Sequence, residues 1–213
     1  MWDFLTEQRR DLLYGAYQHL SLVVQAVILA TVIALVLAVL VTRKPALEPV
    51  SNALSAIGLT IPSFALLGLL LPVMGIGPYG AFLAVTFYAI LPILRNAVVG
   101  LAGVDKTLLE SARGMGMSGT AVLLRVQIPL AWPVILAGVR ISAQMSMGVA
   151  AIAAYVLCPG LGGFIFQGLS QIGGADALNS ALAGTVGVVI LALLLDAVLL
   201  LVGRLTTSKG IRV

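Results

Sequence analysis

Long apolar segments separated by short polar breaks make up most of the chain. A helix needs about 20 apolar residues to cross the hydrocarbon core of a bilayer. Five segments reach that length, at residues 21–41, 53–73, 80–99, 131–157 and 180–203. The breaks between them carry charges, prolines or glycines, which end or bend helices, at residues 42–45, 74–80, 100–129 and 158–176. The pattern therefore predicts an all-α, polytopic membrane protein with about five transmembrane helices.

Composition supports this class. The chain is 61% hydrophobic and only 9% charged, whereas soluble domains average about 25% charged residues. The net charge of +4 could indicate a nucleic-acid partner, but the basic residues stand singly between apolar segments rather than on one face. We therefore expect a lipid membrane as the surroundings and no nucleic acid. The first twenty residues mix charges of both signs without a continuous apolar run, which is unlike a signal peptide.

The distribution of Lys and Arg predicts the orientation, because these residues collect in cytoplasmic loops. Five spans place the termini on opposite sides of the membrane. With the 42–52 loop in the cytoplasm, ten of the twelve basic residues belong to that side: Arg43, Lys44, Arg95, Lys106, Arg113, Arg125, Arg140, Arg204, Lys209 and Arg212. We expect the amino terminus outside and the carboxyl terminus in the cytoplasm. Apolar residues within 1–20 recur at helical spacing, which predicts an interfacial helix on the outer surface.

The polar block between the third and fourth spans has the pattern of a helix, a turn and a second helix. Asp105 is a good N-cap for the first helix, in which Glu110 can pair with Arg113 or Lys106. Glycines at 114, 116 and 119 interrupt it, the apolar pattern resumes from residue 120, and prolines at 129 and 133 bend the chain into the fourth span.

The spacing within this block resembles the EAA loop of ABC importer permeases, written E-A-A-x3-G-x9-I-x-L-P. Here it runs Glu110-Ser111-Ala112, three residues, Gly116, nine residues, then Val126-Gln127-Ile128-Pro129. The three substitutions, Ser for Ala, Val for Ile and Ile for Leu, are small or nearly isosteric. In that family the loop is a cytoplasmic coupling helix that docks on an ATPase subunit. The resemblance thus implies ATPase-coupling roles for Glu110, Ser111, Ala112, Gly116, Val126, Ile128 and Pro129.

A wider resemblance, over about residues 19–210, is to the osmoprotectant branch of these permeases, which imports glycine betaine, choline, carnitine or proline betaine. It is carried by TIPSFALLGLLLPVMGIGP (60–78), YAILPILRNAVVGLAGVD (88–105) and PLAWPVILAGVRISA (129–143). It implies a type I ABC importer permease fold, a single transmembrane domain over 1–213 and a coupling loop at 105–129. The sequence departs from the branch at LCPGLGG (157–163), where the branch generally has IGAGGLG.

The same resemblance implies the partners. They are two cytoplasmic ATPase subunits, a second permease chain that is identical or homologous, and an extracellular or periplasmic substrate-binding protein. ATP and Mg²⁺ would be used by the ATPase subunits, so this chain is expected to bind no cofactor or metal and not to be an enzyme. Consistently, no Gly-Lys pair of a P-loop is present, and the Gly-x-Gly-x-x-Gly runs at 75–80 and 114–119 follow no strand of a βαβ unit.

Polar or helix-breaking residues inside spans are candidates for lining a substrate pathway: Thr60, Pro62, Ser63, Asn96, Gln144, Ser146 and Tyr155. Asp196 lies in the fifth span, where a carboxylate costs on the order of 2.5–3.5 kcal/mol. We expect it to pair with Arg95 or Arg140, either as an assembly salt bridge or beside the substrate. A quaternary ammonium favours aromatic faces, but the aromatic residues, 6% of the chain, form no cage visible in sequence.

Two alternatives remain at this point. One is an ATP-independent secondary transporter or channel in which the polar block is only a connector. The other is the same importer with a different cargo, such as an amino acid. The sequence also leaves open whether the permease pair is a homodimer or a heterodimer and whether residues 160–172 re-enter the membrane.

Overall fold

The fold is described from a computed structural model covering residues 1–207. That part of the chain is helical and contains no strand. Its α-helices are α1 Trp2–Glu7, α2 Arg9–Arg43, α3 Glu48–Thr60, α4 Ser63–Met74, α5 Pro78–Ala102, α6 Lys106–Gly114, α7 Gly119–Val122, α8 Ile128–Ile152, α9 Gly162–Ser170 and α10 Ala177–Thr206. A π-helical stretch, Leu123–Gln127, joins α7 to α8, and a 3₁₀ turn, Ala153–Val156, follows α8. Lys209, Arg212 and the carboxyl terminus, which entered the orientation prediction, lie outside the described residues.

Four of the five predicted spans are confirmed as helices long and apolar enough to cross a membrane: Arg9–Arg43, Pro78–Ala102, the run Gly119–Val156, and Ala177–Thr206. The span predicted at 53–73 is not one helix. α3 and α4 meet at an angle of 91° and form a fifth span only if the bent pair is counted as one broken segment. Pro62 explains the break, because proline lacks an N–H and disfavours the helical conformation in the residue before it. Ile61 is accordingly extended, at φ −65° and ψ 124°.

The predicted boundary at residue 20 is not a break in the helix. α2 has 35 residues, which is about 52 Å of helix against a hydrocarbon core of about 30 Å. No proline interrupts it, and Gly15 is buried against Gly160 and Leu161. Residues 9–20 therefore continue the helix of the first span, which is longer than the hydrocarbon core is thick, and only α1 is separate from it.

α5 forms the centre of the helix bundle. It packs against α2 on one side and α8 on another, while α10 and α9 cover α8 and the bent pair leans on α5. Small residues make close contacts on α2, where Ala30, Ala34 and Ala38 are fully buried in the core. Small side chains let helix backbones approach where lipid supplies no hydrophobic drive for helix association. α6 and α7 come directly before α8 and the 3₁₀ turn comes directly after it. α6 and α7 therefore lie at one end of the bundle, and the 3₁₀ turn lies at the opposite end.

Candidate functional site

The helix α6 carries the first part of the EAA-like motif at the α6–α7 end of the bundle. Asp105 accepts a hydrogen bond from the backbone N–H of Thr107 at 2.8 Å, which confirms the predicted N-cap. Ala112 is the buried residue of this helix, with 3% of its surface exposed. Glu110 and Ser111 are exposed. The helix therefore turns a small residue inward and its polar residues outward.

Gly116 follows the end of α6 and has a left-handed backbone conformation, at φ +86°. Its N–H donates to the carbonyl of Arg113 at 2.9 Å, and the N–H of Met117 donates to the carbonyl of Ala112 at 3.2 Å. These two bonds form a Schellman cap, which satisfies helix carbonyls that would otherwise lack partners. The three-residue spacing between Ala112 and Gly116 is thus the spacing of a capped helix end.

The second part of the motif leads directly into α8. The hydroxyl of Ser118 accepts from the N–H of Ala121 at 3.3 Å and caps α7. The side-chain amide of Gln127 donates to the carbonyl of Leu101, at the end of α5, at 3.0 Å. Val126 and Ile128 are half-buried and Pro129 is exposed at the start of α8. Residues 106–127, which we call the α6–α7 segment, are therefore tied to both α5 and α8.

A polar cavity of about 670 Å³ lies between this segment and the end of α2. Arg43, Lys106 and Arg113 line it together with Glu110. The predicted helical pairing of Glu110 with Arg113 or Lys106 is wrong, since no ion pair joins Glu110 to either residue in the described part of the chain. Three cations against one carboxylate leave a net positive, accessible surface.

Four predicted pathway residues gather near the break between α3 and α4. Thr60 and Pro62 are exposed there and Ser63 is half-buried. Tyr155 lies beside the start of α4, where its ring centroid is 4.6 Å from that of Phe64. The break itself is held by the hydroxyl of buried Tyr88, which donates to the carbonyl of Ile61.

The other three pathway candidates lie elsewhere. Asn96 donates to the carbonyl of Pro92 at 2.8 Å and lies in the contact between α5 and α8. Gln144 is exposed on α8, one turn after Arg140. Ser146 is fully buried and its hydroxyl has no hydrogen-bond partner among residues 1–207. Polarity within a span did not distinguish these residues from those at the break.

The intramembrane carboxylate is paired with Arg140. The guanidinium Nε donates to Asp196 Oδ1 at 2.8 Å and Nη2 donates to Oδ2 at 2.9 Å, joining α8 to α10. Arg95 is exposed and has no part in this pair. Both carboxylate oxygens thus accept charged hydrogen bonds, which offsets the cost of a charge in an apolar helix.

The departure at 157–163 forms a tight connection at the opposite end of the bundle. Leu157 is left-handed at φ 58° and Gly160 has φ 144°. A Cβ on Gly160 would lie 3.0 Å from Nδ1 of His19, whose Nε2 donates to the carbonyl of Met147 at 3.1 Å. Cys158 is buried, and burial raises the pKa of its thiol to about 11. The substituted segment is therefore packed into the protein.

Sequence reasoning missed several residues that the structure brings to these sites. Gln127 and Tyr88 hold backbone carbonyls from distant segments, and Phe166 stacks near Tyr155 with ring centroids 5.8 Å apart. A polar side chain next to a motif could have drawn attention to Gln127. Nothing in the local pattern distinguishes Phe166, because its ring partner Tyr155 belongs to a different element.

The chain matches a protein-family model described as binding-protein-dependent transport system inner membrane component, over residues 19–208. It is 39% identical over 209 residues to the carnitine transport permease protein OpuCB of Listeria monocytogenes, covering 98% of this chain and 94% of the relative. It is 38% identical over 212 residues to the glycine betaine/carnitine/choline transport system permease protein OpuCB of Bacillus subtilis (strain 168), covering 100% and 96%. Osmoprotectant import permease protein OsmW of Salmonella typhimurium is 41% identical over 202 residues, covering 92% of each chain.

Among solved structures, the fold is similar to a chain of the MetNI methionine ABC transporter in inward-facing conformations. The TM-score is 0.82 with 25% sequence identity, and the match covers 95% of this chain and 99% of the other.

Proposed function

The chain belongs to the family of binding-protein-dependent transport system inner membrane components, and we propose that its cargo is an osmoprotectant such as glycine betaine, choline or carnitine. It is a multi-pass membrane protein and the permease subunit of an ABC importer. Relatives named for carnitine, for glycine betaine, carnitine and choline, and for osmoprotectants support this cargo. An amino-acid cargo is supported less, because the methionine transporter is only 25% identical.

The α6–α7 segment is the docking site for the ATPase. This proposal is carried by one observation, a capped helix and turn that holds apolar side chains exposed on an otherwise polar segment. Leu108 is 50% exposed, Met115 78% and Leu124 58%. Exposed apolar groups among polar ones are typical of a surface that meets a partner. Glu110, Ser111 and Gly116 lie on the same exposed segment, while buried Ala112 anchors it.

The attachments of this segment suit a coupling role. The π-helical stretch continues into α8, and Gln127 holds the end of α5. When ATP binding draws the two ATPase subunits together, a rigidly capped helix follows its ATPase and shifts α5 and α8 with it. ATP and Mg²⁺ are held by the ATPase subunits, and this chain binds neither.

The α6–α7 end faces the cytoplasm, with the amino terminus outside and the carboxyl terminus inside. The excess of Lys and Arg on that side supports this orientation. The opposite end then receives cargo from an extracellular or periplasmic substrate-binding protein. A tag placed after the last residue should therefore be protected from protease in intact cells. Cleavage of the tag would show that the carboxyl terminus is outside and would contradict this orientation.

The substrate pathway runs along the break between α3 and α4, where a second, identical or homologous permease chain completes it. Non-helical backbone at membrane depth is tolerated only inside protein or beside a water-filled cavity. The break leaves Thr60 and Pro62 exposed in the single chain, so a partner chain or water must cover them. Ser63 and Tyr155 share this wall, whereas Asn96 and Ser146 lie within the helix packing and Gln144 is exposed on α8.

ATP hydrolysis in proteoliposomes tests the function directly. The chain is reconstituted with its candidate ATPase and second permease chain, and hydrolysis is measured with the binding protein added empty or loaded with glycine betaine. We expect stimulation by the loaded form. An assembled complex that responds to another solute but not to betaine would refute the cargo. Failure of any ATPase to associate would refute the docking role of the α6–α7 segment.

A further inference from the structure

Three aromatic rings from three separate elements meet at the end of the bundle opposite α6 and α7. Phe64 lies at the start of α4, Tyr155 in the 3₁₀ turn after α8, and Phe166 in α9. The ring centroids of Phe64 and Tyr155 are 4.6 Å apart, and those of Tyr155 and Phe166 are 5.8 Å apart. We call these three residues the aromatic cluster.

The cluster is not part of the hydrophobic core. Phe64 is 49% exposed and Tyr155 is 58% exposed, while Phe166 is half-buried. About half of the surface of Phe64 and of Tyr155 therefore remains accessible even though the rings contact each other. Their positions come from two local distortions, the 91° bend before α4 and the 3₁₀ turn that ends α8.

Phe64 lies beside a part of the backbone that lipid cannot cover. Phe64 follows Pro62 by two residues, and the break at Pro62 must lie against protein or water. An aromatic surface at this place borders the pathway proposed above. It also lies at the end of the bundle through which cargo would enter.

The segments that build the break and the aromatic cluster contain no carboxylate of their own. The chain has eight Asp and Glu residues, and none of them falls in residues 49–104 or 111–175, the segments that build the break and the aromatic cluster. Asp196 has both oxygens bonded to Arg140. The electron-rich faces of aromatic rings are the remaining groups of these segments that attract a positive charge strongly.

We propose that the aromatic cluster is a transit site for the quaternary ammonium group of the cargo, which contacts the exposed faces of Phe64 and Tyr155. This inference rests on the proposed function, since it requires a quaternary ammonium cargo. A cation is attracted to a ring within about 6 Å of its centroid, and the spacing of the rings lets one methylated ammonium group contact two of them. A cation–π contact holds the cargo more weakly than an ion pair with a carboxylate would, and weak binding suits a site that must release the cargo.

A series of fluorinated phenylalanines at position 64 separates this role from packing. Each added fluorine weakens the negative potential of the ring face while hardly changing its shape. We measure betaine uptake by proteoliposomes holding the complete importer. Uptake is expected to fall stepwise from phenylalanine to its trifluoro form, by roughly fivefold in total. The same series at Phe82, which is half-buried against the core, is the matched control and should leave uptake unchanged.

A second pair of variants tests Tyr155. Tyr155→Phe keeps the ring and should retain most of the uptake, whereas Tyr155→Leu should lose several-fold at equal yield of assembled complex. Unchanged uptake across the fluorine series at position 64 would overturn the transit site while the importer stands. A wild-type complex that imports another solute but no quaternary ammonium compound would instead refute the cargo, and the transit site with it.

Discussion

Gly138 on α8 lies so close to Asn96 on α5 that a Cβ added to it would be 2.6 Å from the Cβ of Asn96. It would also lie 3.1 Å from the carbonyl oxygen of Pro92, which is backbone and cannot rotate away. This contact joins the two helices that form the centre of the bundle and that receive the two attachments of the α6–α7 segment. Its tightness therefore bears on both stability and coupling.

Gly138→Ala is expected to destabilise the protein by about 2 kcal/mol, because the extra methyl group must push α5 and α8 apart. Gly148, also on α8, is the matched control, because a methyl group added there would have no neighbouring atom within 4 Å. Thermal denaturation of the detergent-purified Gly138→Ala and Gly148→Ala proteins is the measurement. Equal melting temperatures for the two variants would contradict the close contact.

Gly116→Ala should impair coupling, since a residue with a Cβ at φ +86° costs about 1 kcal/mol. We expect the α6 cap to loosen and the ATP hydrolysis stimulated by the loaded binding protein to fall several-fold. Gly114 ends α6 in open space, and Gly114→Ala should leave stimulation unchanged. If both variants lost stimulation alike, the left-handed cap would not be the cause.

Asp196→Asn should lower the free energy of unfolding by about 2 kcal/mol, less than for a fully buried pair, because it leaves the Arg140 cation without its counter-charge. The pair is partly exposed in the single chain, at 32% for Arg140 and 17% for Asp196. Adding Arg140→Gln to this variant should restore much of the loss, since no charge then lacks a partner. Thermal stability and complex yield are measured together. Unchanged stability, assembly and uptake in the single variant would show that the pair has neither a structural nor a transport role.

Tyr88→Phe should weaken uptake by loosening the break between α3 and α4. It removes the hydroxyl that donates to the carbonyl of Ile61, and a partly buried carbonyl without its partner costs about 1 kcal/mol. Tyr79 is 77% exposed, so Tyr79→Phe serves as the control. Initial uptake rates at matched protein content are compared, and equal rates would show that the break does not depend on this bond.

Cys158 should react slowly with thiol-alkylating reagents in the folded protein. Burial raises the pKa of its thiol from 9.0 to about 11, and only the thiolate is nucleophilic. At neutral pH the thiolate fraction is then roughly a hundredfold below that of an ordinary cysteine. Labelling should accelerate about tenfold for each pH unit until the pH approaches this pKa. Equal labelling rates in folded and detergent-denatured protein would contradict the burial.

Features that depend on near neighbours in the chain could be predicted from the sequence. Four spans follow from the length of apolar runs, and Asp105 follows from N-cap chemistry. The interruption at Gly116 was predicted as well, because a helix cap uses backbone groups within about five residues of each other. The family and the position of the α6–α7 segment were recognisable for the same reason, since the motif is a local spacing.

Features that depend on contacts between distant segments could not be predicted. Asp196 pairs with Arg140 rather than with Arg95, and the two partners are 56 positions apart in the chain. The three rings of the aromatic cluster belong to three separate elements. Polar residues in spans were all equal candidates in sequence, whereas packing buried Ser146 and left Thr60 exposed at the break. The class of protein, four spans and the interrupted helix α6 thus follow from local patterns along the chain. Which side chains meet follows only from the fold, because such contacts depend on how helices bend and pack rather than on the periodicity of any one of them.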